Sequence, residues 1–168
     1  MLFCATNELD CFQFHDAEIK EITLTDKNMI WIVAAINATT TNTQNKSSKD
    51  MCVALATMTF ENPLIESIVF SAYTVHDSNN NLIEDVNAIS AKPEKYDTIL
   101  TGATESYCFI YGMDELLQVE NERYRSCFNI DGGAGNFYFT FTFSKSIVQW
   151  DEYSGEAWYE HPKWKKQQ

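Results

Sequence analysis

The chain has 168 residues, with 12 basic side chains against 24 acidic ones and a formal charge of −12. That length suits a single domain able to bury roughly 70% of its unfolded surface, so folding needs neither a disulfide nor a metal. A content of 45% hydrophobic and 14% aromatic residues excludes a disordered chain. The charge excludes nucleic acid and anionic membrane as natural partners, because both require a positive surface, and it leaves an acidic face suited to a basic protein.

The opening "MLFCATNELD" has no positive region and no long apolar core, so no signal peptide is expected there. No uncharged run reaches the ~18 residues of a membrane helix, and a cytoplasmic location is expected. Cys4, Cys11, Cys52, Cys108 and Cys127 are odd in number and show no CxxC spacing. Cys52 and Cys108 lie in apolar strand-like runs, where a free thiol packs as a small hydrophobe.

Next comes "QFHDAEIKEI" (13–22), in which His15 and Asp16 precede a strand. Asp16 suits a turn, since a short carboxylate accepts backbone N–H groups, and the pair then shapes the start of the strand. Ala17 and Ile19 face one way whereas Ile22 and Leu24 face the other, so a bulge is predicted near Lys20-Glu21. Asp26-Lys27-Asn28 separates this strand from "MIWIVAAI" (29–36). That segment and "MCVALATMTF" (51–60) are apolar on both faces and are predicted to lie centrally, covered on both sides. Between them, "NATTTNTQNKSSKD" (37–50) reads as an exposed polar loop with a disordered portion.

"LIESIVFSAYTV" (64–75) is predicted as one strand, left through the turn-rich "HDSNNNLIED". Short helical turns are predicted at "EDVNAIS", before Pro93, and at "MDELLQ" (113–118), with a strand at "SYCFIYG" (106–112) between them. "ERYRSCFNI" (122–130) and "NFYFTFTFS" (136–144) form a hairpin across "DGGAGN". In its second strand Phe137, Phe139, Phe141 and Phe143 share one face, opposite Tyr138, Thr140 and Thr142. "SIVQW" (146–150) is the last predicted strand. Eight or so strands with little helix predict a mainly β, single-domain antiparallel sandwich or strongly curved sheet with one or two short helices.

The remainder, 151–168, is expected to form a C-terminal aromatic arm that packs over the sheet and covers its edge. Trp150 just before it, with Asp151, Tyr153, Trp158, Tyr159 and Glu160 within it, are the candidate binding residues, since indole and phenol pair apolar area with a hydrogen-bonding tip. A catalytic alternative uses His15, Asp16 and Glu18, because a carboxylate beside an imidazole sets its tautomer. His76-Asp77, the second such dipeptide, is followed by Ser-Asn-Asn-Asn and reads as a turn. The chain has no GxxxxGK[ST], GxSxG or HExxH motif, and no cofactor or metal is expected.

"FHDAEI" (14–19) and "WDEYSGEAWYE" (150–160) together resemble the ends of short bacterial proteins of uncharacterised families. Similar openings occur in some immunity proteins proposed to neutralise polymorphic toxins. The resemblance covers about 17 residues and carries no catalytic residues. It implies a small cytoplasmic β-rich protein that binds a toxin, and it suggests that the two ends meet, with His15 near Trp158 or Tyr159. The leading expectation is therefore a non-enzymatic protein-binding domain whose partner is a basic protein such as a toxin. The alternative is a hydrolase-type enzyme, metal-dependent in one version. A third reading is a homo-oligomer in which the arm docks on a second copy.

Overall fold

The computed structural model describes residues 1–114, 116–119, 122–161 and 163. In chain order the elements are β1 (Phe3–Thr6), β2 (Phe12–Gln13), β3 (Ala17–Leu24), β4 (Asn28–Ala38) and β5 (Met51–Glu61), followed by β6 (Leu64–Phe70), β7 (Tyr73–His76), β8 (Leu82–Val86) and β9 (Ile89–Ser90). Helix α1 (Tyr96–Ala103) precedes β10 (Cys108–Met113), β11 (Leu117–Val119), β12 (Arg123–Gly132), β13 (Gly135–Phe143), β14 (Lys145–Trp150) and β15 (Tyr153–Glu156). Among the described residues thirteen strands join one sheet in the order β1-β14-β5-β4-β3-β10-β12-β13-β6-β9, with β2 on β4, β11 on β12 and β15 on β5. The pairings are antiparallel, and β7 with β8 forms a separate ribbon.

Two very short connections show how this sheet closes. Asn62-Pro63 links β5 to β6, and Ser144 alone links β13 to β14, although neither pair is adjacent in the sheet. The ends can be that close only if the sheet rolls over so that its two halves face each other. A knot of bonds holds this corner: Ser144 N–H donates to Glu61 O at 2.9 Å, and the Arg123 guanidinium donates to Asn62 O at 2.7 Å. Between the halves lies an aromatic core in which Trp31 of β4 meets Phe128 of β12 at 5.0 Å, while Phe60 of β5 meets Phe141 and Phe143 of β13 at 5.0 and 5.1 Å. The mainly β, strongly curved antiparallel architecture is thus the one the strand pattern predicts.

Several local expectations hold. Phe137, Phe139, Phe141 and Phe143 are all fully buried. The register of β3 on β4 shifts between Ile19 and Glu21, so Lys20 is the extra residue of the predicted bulge. Asp77 organises the turn after β7, its carboxylate accepting the N–H groups of Asn79 and Asn81 at 2.8 Å each.

Others are corrected. β4 and β5 are central in the sheet but not covered on both sides: Ile30 and Ile32 are only half-buried and Leu55 is 53% exposed. Their two-faced apolar pattern arises because the buried face switches along each strand. Met29, Trp31 and Val33 point inward, then Ile36 and Ala38; on β5 the step falls between Val53 and Ala56. At the switch Ala35 takes φ +61°, a left-handed conformation that costs an L-residue about 1–2 kcal/mol. Ala35→Gly is expected to raise stability by about 0.5–1 kcal/mol after the entropic cost of glycine, read from the urea midpoint. Unchanged or lower stability would contradict the strain.

The stretch expected as one strand over 64–75 breaks after Phe70, where Ser71 N–H turns to Asn136 O at 3.0 Å. "EDVNAIS" is strand rather than helix, because β8 pairs with β7 and Ile89 pairs with Phe70 of β6. In "MDELLQ", Met113 ends β10 and Leu117 begins β11, paired with Arg125; Glu115 lies outside the described residues. Strand pairing outbids weak local helix propensity in both segments. The helix is instead α1, reached through a 3-10 turn that begins at Pro93. It buries only Leu100 and Ala103, and its Thr98, Thr101 and Gly102 are poor helix formers, so its pattern is faint.

Candidate functional site

The His15-Asp16 pair occupies a tight turn. Ala17 N–H returns to Phe14 O at 2.9 Å, Asp16 N–H donates to Ile110 O at 3.0 Å, and Asp16 takes φ +66°, which aspartate tolerates better than most residues. Because the pair sits in the turn and not in the strand, the two side chains meet, with His15 Nδ1 at 2.9 Å from the Asp16 carboxylate. Both are exposed. Glu18 does not join them: it lies on β3, with its carboxylate 2.5 Å from Lys20 Nζ.

β2 brings this turn to β4. Phe12 pairs with Ala38 and Gln13 with Asn37, while Asn37 pairs with Cys52 of β5. Phe12 and Ala38 are buried in the core, so the alternation of strand side chains sends Gln13 and Asn37 to the outer face. Asn37 is nevertheless only 3% exposed, because the C-terminal arm lies over it.

The arm gets there by pairing. β15 adds to the edge of β5 with Tyr153 opposite Val53 and Glu156 opposite Met51, then Ala157 N–H donates to Asp50 O at 2.9 Å. A 3-10 turn, Trp158–Glu160, follows, and the Tyr159 hydroxyl donates to Asp50 Oδ2 at 2.9 Å.

Asp50 is held from the other side by the 39–50 loop. That loop is folded around Asn45, whose Nδ2 donates to Ala38 O, Thr39 O and Lys49 O at 3.0, 3.1 and 2.9 Å, while Thr40 N–H donates to Asp50 Oδ1 at 2.8 Å. A second anchor is Glu8, which accepts from Thr43 N and Oγ1 at 2.8 and 2.6 Å. A polar run rich in asparagine, threonine and lysine gives no hydrophobic periodicity, so this order is invisible in the sequence.

The result is a cavity of about 320 Å³ lined by Gln13, His15, Asn37, Asp50, Trp158 and Tyr159. His15 and the two arm aromatics, from opposite ends of the sequence, therefore line one cavity. A second cavity of about 430 Å³ lies on the other side of the Gln13–His15 ridge, with Asp10, Tyr111 and Asp114 in its wall. Tyr111 donates to Asp131 at 3.1 Å, a bond that holds its hydroxyl proton and raises its pKa. Burial, then the bond to Asp50 and the nearby Glu160, pushes the Tyr159 hydroxyl well above the ordinary phenol range. The charges of Asp50 and Glu160 thus make the surroundings of the Tyr159 hydroxyl negative.

Of the arm residues singled out, Trp158 is 52% exposed, and Tyr159 and Glu160 are partly buried. Asp151 is exposed and lies 3.3 Å from the N-terminal amine. Trp150 is 0% exposed, stacked on Phe3 at 5.3 Å and edge-on to Phe12 at 5.7 Å, so it belongs to the core. Tyr153 packs at 5.8 Å on Trp150 and 5.1 Å on Phe3. The rest of the arm, residues 162 and 164–168 with Trp164 among them, lies outside the described residues. Asn37 and Asp50 were missed by sequence reasoning: one reads as a strand end and the other as loop, and nothing local marks either.

His76 sits on the separate β7–β8 ribbon and lines neither cavity. Among the described residues no group of three or more His, Cys, Asp or Glu side chains is placed to hold a metal ion, and no helix is long and apolar enough to cross a membrane. The Cys108 thiol is pushed up to about 12 by burial, and burial also raises Cys11 and Cys127. No family model, curated protein or solved structure matches this chain.

Proposed function

We propose that this chain is a non-enzymatic binding protein that holds a basic protein partner, of the toxin class its two ends suggest, against the acidic, aromatic-bearing cleft around His15 and Trp158. The observation that carries the reading is the meeting of the "FHDA" turn and the "WYE" arm across a cavity that also contains Asp50. A formal charge of −12 supports it, since complementary charge speeds encounter with a basic partner. So does the half-exposed Trp158 beside Tyr159, the residue types that dominate interface energetics.

The hydrolase alternative has one observation in its favour, the 2.9 Å His15–Asp16 contact between the two cavities. Against it, the third residue of that set does not join the pair, since the Glu18 carboxylate lies 2.5 Å from Lys20 Nζ, and His15 and Asp16 are both exposed to solvent.

The test is calorimetric titration of the chain with basic proteins encoded beside its gene. Association is expected at low salt, weakening by about tenfold or more as salt rises from about 50 to about 500 mM. Trp158→Ala is expected to weaken it by about tenfold, while Glu94→Gln in the turn before α1 leaves it unchanged. No association with any of them at low salt, or affinity indifferent to both salt and Trp158, overturns the reading.

A further inference from the structure

Resting on that reading, the geometry points to a narrower role for the cavity under the arm: it is a receptor for one arginine side chain of the partner, taking the planar guanidinium between the Trp158 ring and the acceptors Asp50 and Asn37. Size is the first argument. About 320 Å³ lies at the low end of ligand sites, suited to a single side chain.

Unmet acceptor capacity is the second. Each Asp50 oxygen already accepts one bond, from Thr40 N–H or the Tyr159 hydroxyl, and retains a lone pair for another. The buried Oδ1 of Asn37 has no hydrogen-bond partner among the described residues, a costly state that an incoming donor would relieve. A group that is all donors fits these needs, and a guanidinium carries five N–H donors with no acceptor.

Charge and ring chemistry agree. Lys49, the chain neighbour of Asp50, has its ammonium held by both oxygens of Glu156 at 2.6 and 2.7 Å. Indole is the best aromatic surface for a cation, and a guanidinium stacks on it as an ammonium cannot. A simple acidic surface would attract any cation; the buried Asn37 amide is what makes this site directional.

The probe is ethylguanidinium added at millimolar concentration to the full chain, followed by nitrogen-15 NMR at the Trp158 indole and the Asn37 side-chain amide. Saturable shifts at both are expected, with N-ethylurea, the uncharged analogue, producing none and butylammonium binding several times more weakly. Asp50→Asn is expected to weaken binding by about tenfold. Because that change also disturbs the Thr40 and Tyr159 bonds, Trp158→Leu serves as a second variant at a half-exposed position and is expected to cost about fivefold. Absent shifts, equal binding of N-ethylurea or of butylammonium, or indifference to both variants overturns the receptor. Such a failure alongside salt-sensitive association with a basic protein leaves the proposed interface standing; ethylguanidinium binding without any protein association supports the receptor and sinks the interface.

Discussion

Trp31→Ala is expected to cost the fold about 3–5 kcal/mol, a large share of the 5–15 kcal/mol typical of a whole domain. Trp31 is 0% exposed and sits where the two halves of the rolled sheet meet. Its ring lies 5.4 Å from Phe60 of its own half and 5.0, 6.1 and 6.1 Å from Phe128, Phe139 and Phe141 of the other. Truncation removes one of the two largest side chains of the core and leaves a cavity that four rigid rings cannot collapse into. The indole N–H has no hydrogen-bond partner among the described residues, so Trp31→Phe sheds an unsatisfied donor as well as volume and should cost far less, about 1.5 kcal/mol or under. Urea unfolding followed by circular dichroism gives both numbers. A loss below about 1 kcal/mol for the alanine variant would mean that the two halves do not pack through this ring.

The second large effect is expected at Gly132, where alanine should destabilise by about 1–3 kcal/mol through overpacking. An added Cβ would lie 2.6 Å from the carbonyl oxygen of Ala103, a backbone atom that cannot rotate away. The same carbonyl accepts Gly133 N–H at 2.9 Å, and a Cβ on Gly133 would come within 2.8 Å of Gly102 O. The C-terminal end of α1 is therefore seated directly on the β12–β13 turn, and the glycines are required by close approach. Of the turn's glycines only Gly135 needs its conformational freedom, at φ +108°. The measurement is the unfolding midpoint of Gly132→Ala beside Gly102→Ala, whose Cβ would meet nothing within 4 Å. Equal midpoints would remove the helix-on-turn contact.

Part of the candidate site is legible in the amino-acid sequence. The two chemically distinctive segments at the chain's ends mark His15, Trp158 and Tyr159, because those residue types stand out against a strand background. Trp150 belongs to the same aromatic run yet is core: "SIVQW" alternates, and its final inward position falls on the indole. Asn37 and Asp50, which supply the acceptors, carry no signal at all. Their importance comes from a neighbour, the arm, that is more than a hundred residues away in sequence.

Alternation over 136–144 determined that segment as strand and its four phenylalanines as core, and a single mismatch of phase placed the Lys20 bulge, because side-chain direction in a strand is set by local backbone geometry. The composition by itself determined an acidic, aromatic-rich β protein. Only the tertiary structure decided that the sheet rolls over at Asn62-Pro63 and Ser144, that segments with helical composition are drawn into strands, and that β15 carries Trp158 over Asn37. Each of these depends on pairing between distant strands, whose energy is shared among residues that no local window contains.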